Sequence, residues 1–332
     1  MDKVKVGVIG LGRLGSFHAT NLQTRIKNAQ LVAVSEINEK ALNSFISQFP
    51  SVKGYLDYKE MLSNEEIDAV VVASSTNSHS STVINCIKAN KKIFCEKPIA
   101  ASLEEAKEVE KIVEENNAYL QLGFMRRFDK AYVKAKEKID SGLLGQPISL
   151  LGISRDPGCP PIEFAKHSGG LVNDMAIHDI DLCRWLMNSE VKEVFAHGGV
   201  VRYKELGDIG DIDHVNISII FENGKMALLE SSRNSSYGYD IRTEVICEHG
   251  ATEIGRVQDE DTIYKTKDGL QVHSIDGFLD RFEEAYYNEM KIFIENIQNS
   301  IMPSVSSIDG LKAIEIANAI NKSIKTNKVV RL

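Results

Sequence analysis

The first part of the chain alternates between short apolar runs and longer amphipathic segments. The apolar runs predict strands at residues 4–9, 31–34, 67–73, 93–95 and 119–122, with a short further strand within residues 50–55. Continuous apolar runs are typical of strands covered on both faces, as in a parallel sheet. The segments between them predict helices at residues 17–27, 40–49, 58–62, 80–89 and 104–116. This order indicates an α/β Rossmann domain with a doubly wound parallel sheet.

The strand–helix rhythm stops at Gly123. A helix over residues 131–141 follows, and then runs that predict strands at residues 148–153, 194–201, 214–222, 225–232 and 241–247. Their apolar–polar alternation is typical of antiparallel strands with one buried and one open face. We therefore predict a Rossmann domain over residues 1–123. Residues 124–332 would form an α+β domain with a large, mostly antiparallel, open-faced sheet, whose last helix (311–325) could pack back on the first domain.

A glycine-rich turn follows the first predicted strand. Gly10, Gly12 and Gly15 fit the spacing G-x-G-x-x-G. The first glycine permits a tight turn, the second lets the backbone approach a pyrophosphate, and the third lets the next helix pack closely. Glu36 ends the second strand about 20 residues later, where a carboxylate binds the ribose hydroxyls of NAD. A tight turn without a ligand is the alternative, but the register of all these features favours a dinucleotide site.

The choice between NAD and NADP depends on two residues. Glu36 would accept hydrogen bonds from the ribose hydroxyls and repel the 2′-phosphate of NADP. Arg13, within the glycine turn, could reach that phosphate and partly offset the repulsion. We therefore expect NAD to be preferred.

Polar residues end two further predicted strands. Ser74 begins a polar cluster that reaches His79, and Glu96-Lys97-Pro98 ends the strand at 93–95. Ligands of open parallel sheets lie at such strand ends. A lysine is usually a solvated surface charge, but Pro98 favours extended geometry for Lys97 at this edge. The predicted cofactor-binding residues are Gly10, Gly12, Arg13, Leu14, Glu36, Ser74, Ser75, Thr76, His79, Glu96 and Lys97.

The second half contains one segment with candidate acid–base chemistry. Apolar positions predict a helix over residues 171–186, opened by a glycine pair, and Asp174 and His178 lie four residues apart on one face of it. Histidine titrates near neutrality, and a nearby carboxylate orients it for general acid–base work. A salt-linked surface pair, or an aspartate that caps the helix, is the alternative.

Composition limits the other classes of function. A net charge of −8 argues against nucleic-acid binding, and no apolar run approaches a membrane span. The chain starts without the features of a signal peptide, and its five cysteines are scattered, so we expect a reducing, cytoplasmic location. Asp179 and Asp181 add acids near His178, but no second ligand cluster completes a metal site, so no metal is expected.

Three motifs taken together resemble those of the glucose-fructose oxidoreductase/inositol dehydrogenase family, and within it the bacterial inositol 2-dehydrogenases. They are Gly10-x-Gly12-x-x-Gly15, Glu96-Lys97-Pro98 and Asp174-x-x-x-His178. The similarity extends over residues 4–325. It implies that Lys97, Asp174 and His178 are the catalytic residues, and that segments 123–127 and 237–241 line a polyol pocket. It also implies four substrate contacts: Arg126, Asp156, Tyr239 and Tyr286.

The resemblance implies an NAD-dependent oxidation of a cyclitol to a ketone, with His178 as general base and Lys97 stabilising the developing alkoxide. It also implies a homo-oligomer, a dimer or tetramer, formed through the open face of the second sheet. The sequence departs from the family at Ser75, where many relatives have proline. It departs again at Ser154, where inositol dehydrogenases can have a substrate-contacting histidine. A dehydrogenase of another sugar or diol, and a non-catalytic NAD-binding sugar sensor, are the alternatives.

Overall fold

A computed structural model describes residues 2–259 and 262–332 of the chain. It divides the chain into two compact units, each made of two segments that are distant in sequence. The first unit comprises Met1–Met125 and Glu284–Lys312, and the second comprises Arg126–Glu283 and Ala313–Leu332. Residues 284–312 thus belong to the same unit as the glycine-rich turn.

The first unit is built on a parallel six-stranded sheet. Its strands are β1 (Val4–Ile9), β2 (Ala29–Ser35), β3 (Lys53–Tyr55), β4 (Ala69–Val72), β5 (Lys92–Glu96) and β6 (Leu120–Gly123). They lie in the order β3-β2-β1-β4-β5-β6. The direction of winding reverses between β1 and β4, and open α/β sheets bind ligands beside the carboxyl ends of strands at such a point. The predicted doubly wound sheet is confirmed.

The second unit is built on a seven-stranded sheet, with a separate two-stranded hairpin. Its strands are β7 (Pro147–Arg155), β8 (Val191–Gly199), β9 (His214–Phe221), β10 (Met226–Ser232), β11 (Asp240–Cys247), β12 (Gly250–Ile254), β13 (Tyr264–Thr266), β14 (Gly269–Gln271) and β15 (Val330–Arg331). The large sheet has the order β12-β11-β7-β10-β9-β8-β15. Only the β7–β10 pair is parallel among its described ladders, so the mostly antiparallel sheet is confirmed.

Helices connect and cover these strands. They are α1 (Arg13–Thr24), α2 (Glu39–Gln48), α3 (Tyr58–Asn64), α4 (Thr76–Lys88), α5 (Leu103–Asn116), α6 (Lys130–Asp140), α7 (Ile162–Ala165), α8 (Ile177–Met187), α9 (Lys204–Asp208), α10 (Phe278–Asn299) and α11 (Ser307–Thr326). Local sequence explains several of their ends. Ser102 and Glu105 form a reciprocal capping box at the start of α5, and Asn117 ends that helix in the left-handed conformation.

The core of the first unit includes residues of α10, a helix that the sequence pattern did not predict. Met290, Phe293 and Ile294 are fully buried in the cluster formed by the strands and α1. Their spacing of three and four residues places them on one face of the helix. The Phe293 ring lies 5.8 Å from that of Phe94 on β5. Burial of each such side chain stabilises the fold by roughly 1.5–3 kcal/mol.

One face of the seven-stranded sheet exposes large apolar side chains. Neighbouring strands contribute Leu151 on β7, Met226 and Leu228 on β10, and Ile246 on β11, and all four are exposed. Leu228 pairs directly with Leu151 across the β7–β10 ladder. This is the open face that the sequence predicted, and the oligomeric state remains a prediction.

Several local predictions differ from the structure, including the first helix, which was predicted over residues 17–27 and begins at Arg13. The polar cluster from Ser74 to His79 was predicted to precede a helix starting at residue 80, but α4 already begins at Thr76. The predicted start is too late, because polar residues fill the first turns of this helix. The regular helix predicted over residues 171–186 is interrupted, since Val172–Ala176 form a π-helical turn before α8.

Among the described residues, the structure contains no helix that is both long enough and apolar enough to span a membrane.

The packing around the glycine turn predicts how alanine substitutions at two of its glycines change the stability of the protein. A Cβ on Gly15 would lie 2.0 Å from the Gly10 carbonyl oxygen, whereas a Cβ on Gly12 would meet no atom within 4 Å. Gly15→Ala should therefore force α1 away from β1 and lower the free energy of unfolding by about 2–3 kcal/mol. Gly12→Ala is the matched control and should cost less than about 1 kcal/mol, the difference between glycine and alanine as an N-cap. Urea unfolding of both variants without cofactor measures this, and equal stabilities would contradict it.

Candidate active site

The glycine turn between β1 and α1 leaves room for a ligand on one side. Gly10 has a φ of +91°, which favours glycine, and a Cβ there would lie 2.6 Å from the Ala73 carbonyl oxygen. Gly12 is exposed, and the space where its Cβ would stand is open. The N-terminus of α1 begins beside it with Arg13 and Leu14. Its N–H groups and the open space fit a pyrophosphate.

Glu36 lies just beyond β2 and is fixed by two backbone donors. Leu11 donates its N–H to Glu36 Oε2 at 2.7 Å, and Asn38 donates its N–H to Oε1 at 2.9 Å. The carboxylate is therefore bound to the glycine turn itself. A carboxylate oxygen can accept more than one hydrogen bond, so a ribose hydroxyl can still bind here.

The end of β4 holds the next predicted cofactor residues. Ser74 Oγ lies 2.7 Å from Ser78 Oγ, and Ser75 is the exposed N-cap of α4, with Thr76 as its first helical residue. His79 is buried, and its two ring nitrogens lie 2.7 Å from the Pro98 carbonyl oxygen and 3.0 Å from that of Ser74. Burial lowers the pKa of His79, and the two carbonyl contacts oppose this shift. His79 thus joins the loops that follow β4 and β5.

Lys97 directly follows β5, next to a buried carboxylate. Its side chain is partly buried, and the Lys97–Pro98 peptide bond is cis. The Lys97 N–H donates to Glu96 Oε2 at 3.3 Å, while Glu96 Oε1 lies 2.7 Å from His18 Nε2. Glu96 was predicted to bind cofactor; its carboxylate is buried among groups of the first unit. His18, which sequence reasoning missed, lies three residues after Gly15.

Asp174 and His178 lie on either side of the junction between the π-helical turn and α8. Asp174 is within the turn and His178 is the second residue of α8, where it is buried. Gly169 and Gly170 lead into the turn with φ values of +82° and +81°. The N–H of Leu171 then donates to Asp211 Oδ1 at 2.9 Å. Such π-helical turns occur frequently at functional sites.

Arg233 is a residue of this region that sequence reasoning missed. It follows β10 directly and is 1% exposed, yet its guanidinium faces two predicted site residues. Arg233 Nη2 donates to Asp174 Oδ2 at 3.3 Å, and Nη1 lies 3.8 Å from Asp156 Oδ2. Its position at a strand end was the only signal in the sequence. The structure therefore joins a predicted catalytic acid and a predicted substrate contact through one buried cation.

Arg126 belongs to a buried network of charged and polar groups. Arg126 Nη1 donates to Asp179 Oδ1 at 2.7 Å, and both of its Nη atoms lie 3.1 Å from Ser154 Oγ. The Ser154 hydroxyl donates to Asp179 Oδ2 at 2.6 Å. All three side chains are buried. Ser154, the departure from the family pattern, thus completes a network within the second unit.

The two predicted tyrosines lie in different units and are both buried. The Tyr239 ring lies 6.4 Å from that of Phe282, and burial raises the pKa of the Tyr239 phenol while nearby Arg126 opposes the shift. Tyr286 lies on α10, and its ring is 6.1 Å from Phe17 and 6.0 Å from His18 on α1. Lys97 also belongs to the first unit, and Asp174 and His178 to the second.

Two family profiles match the chain. Residues 4–124 match an oxidoreductase family with an NAD-binding Rossmann fold. Residues 132–253 match the GFO/IDH/MocA C-terminal domain. These matches cover the sheet that contains the glycine turn and most of the sheet of the second unit.

The chain is also similar to individual proteins over nearly its whole length. It is 38% identical to the myo-inositol 2-dehydrogenase of Thermotoga maritima, over 99% of this chain and 98% of the relative. It is 38% identical to the scyllo-inositol 2-dehydrogenase (NAD(+)) of Bacillus subtilis, over 99% of this chain and 96% of the relative. A crystal structure of scyllo-inositol dehydrogenase from Lactobacillus casei, with bound NAD(H) and scyllo-inositol, superposes with a TM-score of 0.94 at 31% identity and covers 99% of both chains.

Replacing Arg126 tests whether this residue has a structural role or only contacts substrate. Arg126→Met would leave Asp179 as a buried charge without its cation, so the free energy of unfolding should fall by about 3–5 kcal/mol. Arg331→Met is the control, because Arg331 pairs with Glu193 at the surface and should cost at most about 1 kcal/mol. Urea unfolding measures both. An Arg126→Met protein with parent stability and only a raised KM for a polyol would contradict the structural role.

Proposed function

The chain belongs to the oxidoreductase family with an NAD-binding Rossmann fold, and we propose that it oxidises a cyclitol, myo- or scyllo-inositol, to the corresponding ketone. NAD is its cofactor. The observation that carries the proposal is the similarity, over nearly the whole chain, to relatives described as myo- and scyllo-inositol 2-dehydrogenases. The presence of Lys97, Asp174 and His178 together favours an enzyme over a sugar sensor without activity.

The cofactor supplies the hydride acceptor when it is bound, and the protein supplies position and charge. The open space at Gly12 and the N-terminus of α1 would hold the pyrophosphate. Glu36, fixed by the N–H groups of Leu11 and Asn38, would accept hydrogen bonds from the ribose hydroxyls. These residues lie at the carboxyl edge of β1 and β2, as the fold requires.

The proposed acid–base roles follow from the residue types. His178 accepts the proton of the substrate hydroxyl as general base. Lys97 donates a hydrogen bond to the same oxygen and stabilises the negative charge that develops there. Asp174 orients His178, and Arg233 keeps the Asp174 carboxylate in place from its buried position. Arg126, Asp156, Tyr239 and Tyr286 remain proposed contributors to substrate binding.

Replacing Lys97 or His178 tests these roles. Lys97→Ala and His178→Ala should each lower kcat about 10²–10⁴-fold, because each removes a group that acts on the reacting oxygen. The NAD dissociation constant should change little. NADH absorbance during oxidation of a panel of cyclitols and sugars measures kcat, and quenching of intrinsic fluorescence measures NAD binding.

Exposed residues of the same type provide controls for this prediction. Lys92→Ala on β5 and His197→Ala on β8 should both retain parent activity, since both side chains are exposed. Either Lys97→Ala or His178→Ala turning over its best substrate at nearly the parent rate would overturn the assigned role. A parent that oxidises another sugar or diol faster than every inositol would replace the cyclitol by that substrate.

Cofactor preference provides a separate test. Glu36 is tied to the glycine turn by a 2.7 Å hydrogen bond, so its carboxylate cannot easily turn away from a 2′-phosphate. The parent should therefore prefer NAD. Glu36→Ser should raise the ratio of kcat/KM for NADP over NAD by at least about tenfold, because it removes a like-charge repulsion.

Glu39→Ser is the matched control for Glu36→Ser. Glu39 is exposed in the first turn of α2, so its loss makes the same change in net charge three residues away. The ratio should stay at the parent value in this variant. A parent that prefers NADP, or an unchanged ratio in Glu36→Ser, would refute the role assigned to Glu36.

A further inference from the structure

Three titratable side chains from distant parts of the sequence meet inside the first unit. They are His18 on α1, Glu96 at the end of β5 and Glu289 on α10. His18 and Glu289 are fully buried, and Glu96 is 5% exposed. His18 Nε2 lies 2.7 Å from Glu96 Oε1 and 3.9 Å from Glu289 Oε1. We call these three side chains the buried triad.

The buried triad contains more acid than base. A single imidazole faces two carboxyl groups, so it can balance at most one negative charge. Both carboxyl oxygens of Glu289 lack a hydrogen-bond partner among residues 2–259 and 262–332. Burial, together with the negative charge of Glu96, raises the pKa of Glu289 well above its usual value. Both effects favour the neutral, protonated form of the Glu289 carboxyl group.

Neighbouring elements of the first unit also contact Glu289 and His18. From β6, Gln121 donates its side-chain amide to the backbone carbonyl of Glu289 at 3.0 Å. From α10 itself, the Tyr286 ring packs 6.0 Å from the ring of His18. Among the His, Cys, Asp and Glu side chains of the described residues, His18 on α1 and Glu96 on β5 group with the Glu289 carboxyl.

The buried triad also reaches the backbone of Lys97. Glu96 Oε2 accepts the Lys97 N–H at 3.3 Å, while its other oxygen faces His18. Gly123 on β6 packs against the same carboxyl group, since a Cβ there would lie 3.1 Å from Glu96 Oε2. The carboxylate is therefore confined on three sides. Any rotation of it would remove an acceptor from the residue that carries the proposed catalytic amine.

We propose that His18 and Glu289 are positioning residues that hold the Lys97 backbone through the Glu96 carboxylate. The proposal rests on the role of Lys97 under "Proposed function". His18 fixes one oxygen of Glu96, so that the other stays directed at the Lys97 N–H. Glu289, when neutral, lies beside His18 without adding a second negative charge that would compete with Glu96.

A double-mutant cycle with Lys97 tests the proposal on the full-length protein. Glu289→Leu should lower kcat about tenfold, because small displacements of a reacting group cost large rate factors. Glu289→Gln keeps a neutral group of the same shape and should stay within about threefold of the parent. The NAD dissociation constant should be unchanged in both. In a Lys97→Ala background, Glu289→Leu should lower the residual kcat by less than about twofold, since the two changes act through one group.

Several outcomes would overturn the proposal. They are an equal fold-loss of kcat from Glu289→Leu in both backgrounds, no loss of kcat in either background, or a loss of kcat in Glu289→Gln as large as in Glu289→Leu. One equivalent of bound metal in the parent, absent from Glu289→Gln, would identify the buried triad as a metal site instead. A Lys97→Ala protein with parent activity would refute the catalytic role of Lys97 on which the proposal rests, a different result from any of these.

A second variant separates a loss of kcat caused by misfolding from one caused by a displaced Lys97. If circular dichroism shows that Glu289→Leu does not fold, His18→Asn replaces it in the cycle. The shorter amide cannot reach Glu96 as the imidazole does, so the same tenfold loss of kcat is expected with Lys97 present. The loss should again be nearly absent in the Lys97→Ala background. An additive effect of His18→Asn would overturn the proposal in the same way.

Discussion

The first unit depends on the close approach of α1 to β1. A Cβ on Gly15 would lie 2.0 Å from the Gly10 carbonyl oxygen, so only a glycine lets the helix sit where it does. This one contact places the N-terminus of α1 beside Gly12 and brings Leu11 to Glu36. It also places His18, one turn further along, against Glu96 at the end of β5. The cofactor turn and the segment of Lys97 are thus linked by the position of one helix.

Much of this unit could be predicted because its signals are local. A strand covered on both faces must be apolar along its whole length, and β4 is fully buried, as its sequence indicates. The spacing of the glycines predicts the backbone geometry of the turn, because each glycine meets a separate steric requirement. Glu36 could be placed because it directly follows a predicted strand. The structure confirms the sheet and places Glu36 against the glycine turn.

The parts that could not be predicted depend on partners far away in sequence. Glu289 looks like an ordinary helical acid until α10 packs into the first unit and buries it beside His18. Arg233 likewise resembles a solvated charge at a strand end until its burial against Asp174 is known. The π-helical turn at Val172–Ala176 has no local signal either. In each case the observed feature depends on tertiary packing. The sequence pattern along one segment carries no information about that packing.

The arginines at the start of the second unit show why a motif alone does not settle a role. Arg126 and Arg127 are adjacent in a 3₁₀ turn, and they pair with Asp179 and Asp181, two residues apart on α8. Both pairs are buried, so loss of either arginine would leave an uncompensated acid inside the protein. The two pairs therefore fix the rotation of the helix that carries His178. Residues that the family resemblance relates to a polyol pocket thus also hold the proposed general base in place, and a defect in turnover after their replacement can arise without any lost substrate contact.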